Sequence, residues 1–461
     1  MRYQALICLA VLGSWGCGAG DMEDVGVSSL AVSVGNGADF KAKLTADPYG
    51  SYTLTTDIDM GNTALQIAAF YGQLDGANHT IKNVTQLLPS SSGNAGLFGL
   101  LQGATVKNLK LSNVKFRADS AGGLASQCNA ATVQNVSVQG SIEGGSLAGG
   151  LCGGGGGGSI TSSSATGSVK STSGSAGGLV GRSDIGRSGL GSVLSSCSVA
   201  SMTVTGVQAS GGLIGYCQDL TIDRAAVDAT VSAQTTAGGL CGEMNGGMIS
   251  NSYAKGSSVT ASGGPAGGLV GTAGIGQLGE PLDRLQIEHA YALYTNVNAS
   301  KQAGGIVGVG ADTAMQNVYA VGNVTGTAAV GGLIGRAITF ARGWSLNNGI
   351  YRGVVNDRSR DWAGVMGVYD GFSGDIQPRW EGTLFDSSLD TSSHYAIYLT
   401  SQKPATTNQL KLPSSTPSGV YCFNAPPSTR CGDNAFPALD WDAGSANQHH
   451  ILKNMPGVQP R

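Results

Sequence analysis

The chain has 461 residues, of which 75 are glycine, 12% are charged and 6% are aromatic. Its net charge of −3 provides no basic face for nucleic acid, and no run of about 18 apolar residues marks a membrane helix. So little charge and so much glycine would suit a disordered chain, but the glycines recur in phase with apolar residues, which means repeated tight corners.

Residues 1–16 read as a secretion signal: Arg2, the apolar run Ala5–Leu12, then small residues ahead of Cys17. The stretch Leu12-Gly13-Ser14-Trp15-Gly16-Cys17 is similar to a bacterial lipobox, which makes Cys17 the predicted lipidation site and the anchor to an envelope membrane. Ser14 and Trp15 depart from that pattern, so an ordinary signal cleaved after Ala19 or Gly20 stays open. Residues 17–38, polar and acidic (Asp21, Glu23, Asp24), are predicted to be a flexible tether. Residues 39–94 are read as an N-terminal cap and opening coil. Within them, Asp39–Thr45 is predicted to form a short helix with Asn36 or Asp39 at its N-cap, covering strand edges that a stack of coils would expose.

From residue 95 to 370 a short string, Ala-Gly-Gly-Leu-Val-Gly or a near copy, recurs ten times. Its leucine position is Leu97, Leu124, Leu151, Leu179, Leu213, Leu240, Leu269, Ile306, Leu333 and Val365, at steps of 27, 27, 28, 34, 27, 29, 37, 27 and 32 residues. A base period near 27 with a few insertions is the mark of a solenoid in which each unit contacts only its neighbours. With that leucine at zero, apolar residues fall at +9, +12, +14 and +18: Val133, Val136, Val138 and Ile142 in one unit, Met315, Val318, Ala320 and Val324 in another. The +12/+14 pair has the period of a strand, and the whole set does not follow a helical period. The predicted fold is therefore all-β: a parallel β-helix of about ten coils, each of three short strands, with glycine corners and a ladder of like residues as core. Glycine at −1 in every unit implies either positive φ or close approach of adjacent coils. The run Gly153–Gly158 lacks the Lys-Ser/Thr of a phosphate loop and is read as a floppy corner. The longest steps place insertions at Arg182–Val193, Thr272–Gln286 and Arg336–Ser345, all after the motif's last glycine and so along one edge.

Within an exported chain the cysteines meet oxidising conditions. Cys422 and Cys431, bracketing a Pro-rich loop in the C-terminal capping region 371–461, are the candidate disulfide. Cys128/Cys152 and Cys217/Cys241 occupy the same two repeat phases, 24 residues apart. On straight neighbouring strands a three-residue offset separates such residues by ~10 Å, too far to bridge, so both pairs stay open. Cys197 reads as a buried free thiol.

The repeats resemble the GLUG-motif family, named for Gly-Leu-apolar-Gly and found in exported bacterial surface proteins and in non-catalytic parts of some immunoglobulin A peptidases. The companion element of that family is matched by Asn251-Ser252-Tyr253-Ala254-Lys255-Gly256 and by Asn317-Val318-Tyr319-Ala320-Val321-Gly322. Phe70-Tyr71-Gly72-Gln73-Leu74-Asp75-Gly76-Ala77-Asn78-His79 is similar to the opening coil of such proteins, and Phe436-Pro437-Ala438-Leu439 to their close. The resemblance implies a β-solenoid surface protein and brings no catalytic residue.

No His-Glu-x-x-His and no Gly-x-Ser-x-Gly occurs, and the lone His289 reads as structural. The expectation is accordingly a non-enzyme without cofactor or metal: a monomeric, envelope-anchored, adhesin-like rod, held to a membrane only by its lipid and binding a glycan, matrix component or protein partner. The alternative is a carbohydrate-active lyase or glycosidase, which would need acids such as Asp219, Asp223, Asp228, Glu243, Glu280, Asp283 and Asp312 to gather in one groove. The candidate binding face is an outward tyrosine row, Tyr253, Tyr291, Tyr319 and Tyr351, lying between the inward +12 and +14 positions once insertions are discounted. Cross-strand ring pairing with no ligand explains the same row.

Overall fold

The computed structural model describes residues 31–184, 192–274, 284–339, 343–357, 362–363 and 365–371, with isolated strand segments between 379 and 452. Cys17 and Cys431 lie outside the described residues. Cys422 begins a two-residue strand paired with Ala435–Phe436, and its side chain is likewise outside them.

The described residues between 31 and 371 form a parallel β-solenoid of about ten turns. Each motif strand pairs in parallel with the motif strand of the next coil: Phe98 with Ala125, Ala125 with Cys152, Cys152 with Val180, Val180 with Ile214, Ile214 with Cys241, and so on to Ile334 with Met366. The register therefore equals the motif spacing, insertions included. All ten motif residues, Leu97 to Val365, are 0% exposed. The +9, +12, +14 and +18 residues line the same core from the longer face, whose strands include Thr132–Gly149, Ala226–Ala233 and Ala314–Gly326.

The −1 glycines are explained by close approach, since among those described only Gly96, φ 155°, has positive φ. A Cβ on Gly150 would stand 2.1 Å from the carbonyl oxygen of Gly178, one on Gly178 2.0 Å from that of Gly212, and one on Gly268 1.9 Å from that of Gly305. Left-handed backbone falls instead at +11, on Asn108, Asn135, Arg224, Asn251 and Asn317, residue types in which asparagine tolerates that conformation best. Their amides bond from coil to coil: Asn135 Nδ2 donates to Asn108 Oδ1 at 2.9 Å, and Asn108 Nδ2 to Asp75 Oδ1 at 3.1 Å. His289 takes this same corner, φ 50°, with Nε2 2.9 Å from Asn317 Nδ2. The histidine read from the sequence as structural is thus a corner residue.

The glycine run departs from expectation. Cys152–Gly156 is a strand in register with its neighbours, not a corner, and a Cβ on Gly155 would stand 2.0 Å from the Cys128 carbonyl oxygen. The nearby sulfurs also correct the straight-strand estimate. Cys128 and Cys152 are disulfide-bonded with Cα atoms 6.0 Å apart, although Cys152 pairs with Ala125 and Cys128 with Gly155. Pairing is interrupted at Ser126 and Gly153, where the chain bends at +2 and turns both +1 and +4 into the core. Cys197 is buried and free; its Sγ lies 3.3 Å from the Ile160 carbonyl oxygen, and burial pushes the thiol up to about 11.

The N-terminal end is closed by the helix Gly37–Ala46. Asn36 is its N-cap, accepting from Asp39 N at 2.9 Å, and Lys43 pairs with Asp39 at 3.0 Å. Phe40 and Leu44 are buried against the first coils, where Phe98 lies between Phe40 and Phe70 at centroid distances of 6.3 and 5.3 Å.

One core residue stands out. Tyr294 is buried with its ring over Gly239 and Gly256, and its hydroxyl has no hydrogen-bond partner among the described residues. A buried unpaired hydroxyl costs about 1–3 kcal/mol. Tyr294→Phe keeps the ring and removes the orphan, so the variant is expected to gain about 1 kcal/mol, read as a higher denaturant midpoint.

Candidate functional site

The tyrosine row is not an exposed face. Tyr253, Tyr291 and Tyr319 occupy one register line but are only 2%, 0% and 3% exposed. Tyr253 and Tyr291 stack with centroids 5.0 Å apart and planes 3° from parallel. Burial pushes the Tyr253 phenol up to about 12, and the Tyr291 phenol upward as well. Tyr351 leaves the row altogether: Tyr319 pairs with Ile350, while Tyr351 pairs with Ala320. That one-residue shift turns its ring into the core, where its hydroxyl donates to the Gly322 carbonyl at 3.0 Å. The four rings are placed for packing, and no ligand face is made of them.

Exposed aromatic surface lies at the other end. Tyr49, 71% exposed, stacks on Tyr71 with centroids 4.7 Å apart and planes 14° from parallel. Tyr71 sits inside the opening-coil motif. There Asp75 Oδ1 accepts from Ala77 N at 2.8 Å to shape the turn, and Gly72 is needed because a Cβ would meet the Gly50 carbonyl oxygen at 2.1 Å.

A second surface feature was missed by sequence reasoning. The outward +3 residues of successive motif strands run Gln127, Gly154, Arg182, Tyr216, Glu243, Thr272, in register. The Arg182 guanidinium lies 4.4 Å over the Tyr216 ring, and its Nε donates to Asp184 Oδ1 and Oδ2 at 3.0 and 2.9 Å. Asn245, 4% exposed, donates through Nδ2 to Glu243 Oε1 at 3.2 Å and lies 3.4 Å from the Tyr216 hydroxyl. Its Oδ1 has no partner among the described residues. The result is a cation, a ring edge, a half-buried carboxylate and a free amide oxygen side by side, at the edge from which the insertions leave. A protein or sugar bearing donors and acceptors fits such a strip. The signal available in the sequence was the shared +3 offset from Leu179, Leu213 and Leu240.

Burial holds the Glu243 carboxyl above its ordinary 4.5, against the opposing pull of Asn245 and Arg182. A raised acid value means the unfolded chain gives up the proton more readily, so ionisation weakens the fold. The penalty is absent below pH 4.5 and complete once pH exceeds the folded value. Glu243→Gln is expected to raise the melting temperature at neutral pH and leave it unchanged below pH 4.5, a difference that thermal scans at the two pH values would show.

The acids do not assemble into a catalytic groove among the described residues. Asp223 serves Arg224, Ser250 and Asn251, Asp228 pairs with Lys255, and Glu243 stands with Arg182. No group of three or more His, Cys, Asp or Glu side chains able to hold a metal occurs among them either. Glu280 and Asp283 lie outside the described residues.

Residues 37–140 match the model of the M26 IgA1-specific metallo-endopeptidase N-terminal region. This relates the chain to IgA1-protease-like proteins. No curated protein matches. Among solved structures, a proposed immunoglobulin A1 protease from Bacteroides ovatus is similar at 20% identity and TM-score 0.38, covering 65% of this chain and 78% of that one. An IgA1 protease is similar at 20% identity and TM-score 0.39, covering 62% of this chain and 21% of its own length. The family match corrects the expectation of a non-enzyme. The matched residues include the opening-coil segment Phe70–His79.

Proposed function

We propose that this chain is an exported, peptidase-related solenoid that engages a glycosylated protein of the immunoglobulin A1 class, and that peptide-bond cleavage is the activity to assay. The match over residues 37–140 carries the reading. Two features support it: the exposed Tyr49–Tyr71 stack lies inside the matched segment, and the Arg182–Tyr216–Glu243 strip offers polar contacts suited to a protein surface. The repeats' resemblance to GLUG-motif surface proteins agrees with export, as does the lipobox-like segment before Cys17. The whole chain is read as one protomer.

The test is to incubate the purified full chain with immunoglobulin A1, measure binding by surface plasmon resonance, and follow chain fragmentation on gels with and without a chelator. Binding that Tyr49→Ser or the Arg182→Ala/Glu243→Ala pair weakens, with fragments formed, supports the reading. Neither binding nor fragments overturns it. Anchoring is tested separately: Cys17→Ser is expected to move the chain from the membrane fraction to the soluble one, because stable anchoring needs more than one acyl chain and a lipidated cysteine supplies them. An unchanged mature mass and membrane association would show that Cys17 carries no lipid.

A further inference from the structure

We propose that Cys217 and Cys241 close into a second inter-coil disulfide, equivalent to Cys128–Cys152, stapling together the two strands that carry Tyr216 and Glu243. Cys217 stands at +4 of one coil and Cys241 at +1 of the next, as Cys128 and Cys152 do in coils nearer the N-terminus. The register is the same in both places: Ile214 pairs with Cys241 and Cys217 with Met244, as Ala125 pairs with Cys152 and Cys128 with Gly155. Gly215 and Gly242 hold the +2 corner that turns both residues inward. The two sulfurs face each other 3.9 Å apart, and both residues are 0% exposed. Among the described residues no other pair of successive coils places cysteine at both positions.

The chemistry needs an oxidant, which we take to be a small disulfide such as oxidised glutathione. One protein thiol, as thiolate, attacks the oxidant's sulfur–sulfur bond, releasing one thiol and leaving a mixed disulfide. The second protein thiolate then attacks the protein sulfur, closing Cys217–Cys241 and releasing the second thiol. Two protons and two electrons leave the protein, and the oxidant is reduced to two thiols. Once the coils have stacked, both sulfurs are sealed in the core and burial holds the Cys217 thiol protonated. Exchange therefore belongs to the folding phase, while these coils are still open. In the cell this rests on the reading of an exported chain, which meets such an oxidant as it folds.

Arg224 is the one tryptic site between the two cysteines, so a bridge joins the peptides Ser188–Arg224 and Ala225–Lys255. The full chain is unfolded in reductant, refolded with reduced and oxidised glutathione, denatured in alkylating agent, digested and weighed. The joined peptide is expected in the wild type and in Cys197→Ser, and is expected to vanish on reduction and in Cys217→Ser. Cys128 and Cys152 share one tryptic peptide and report as its unalkylated form, two hydrogens lighter than the dithiol. Separate alkylated peptides carrying Cys217 and Cys241 overturn the proposal, whether or not the Cys128–Cys152 peptide is bridged. Fractionation of cells producing the chain reads export independently. A chain that stays inside the cell yet yields the joined peptide on refolding overturns export and supports the bridge.

Discussion

Gly239→Ala is expected to destabilise the solenoid by about 3 kcal/mol, at the upper end of what overpacking costs. The added methyl would stand 2.0 Å from the Gly268 carbonyl oxygen, 2.8 Å from the Tyr294 ring and 2.9 Å from the Ala254 methyl. The nearest of these is backbone, so no rotamer change relieves it; the two coils must part. Gly35→Ala is the matched control, since its methyl meets only Thr55 Oγ1, at 3.6 Å. Urea midpoints of the two variants should differ widely. Equal midpoints would mean that the coils do not approach at the −1 glycines.

Leu240→Ala should cost a comparable amount for the opposite reason. Leu240 is 0% exposed and sits mid-ladder between Leu213 and Leu269. Truncating it leaves a void between coils whose backbones are already in register, so little collapse is available, and about 2–5 kcal/mol is expected. Because each coil is supported only by its neighbours, the loss should be local. Hydrogen exchange would show lowered protection in the coils of Leu213, Leu240 and Leu269, with the helix Gly37–Ala46 unaffected. A uniform loss along the chain would argue against a stack of nearest-neighbour units.

The coil was legible because like residues recur: Leu97 to Val365 mark every turn, and their spacing is the observed register, insertions included. Period-two alternation also placed Val136 and Val138 in the core and correctly turned Tyr253 away from it. It could not tell that Tyr253 and Tyr291 would nonetheless be shielded from solvent, because alternation fixes a direction and not what lies along it. Tyr351 was misplaced because the insertion after Leu333 hides the alignment, and Tyr319 pairs instead with Ile350, one residue earlier. Cys128–Cys152 was left open because a straight strand was assumed where the +2 position bends. The Arg182–Tyr216–Glu243 strip escaped notice for another reason. Three unlike residues at one offset have no self-similarity to detect, and their kinship is only that they share a surface.

The hydrogen bonds that join the coils all point along the stack. Leu151 N donates to Leu179 O at 2.9 Å, Leu179 N to Leu213 O at 2.8 Å, Leu213 N to Leu240 O at 3.0 Å and Leu240 N to Leu269 O at 2.9 Å. Tension applied along that axis therefore loads successive coils in series, and the bonds within one rung share the force while the next rung waits. Such a chain yields by peeling, one turn at a time, each base-period turn of 27 residues paying out roughly 90 Å of extended chain. The Cys128–Cys152 bridge short-circuits part of that length where it spans two turns. Under load along that axis the stack would lengthen and absorb work in steps.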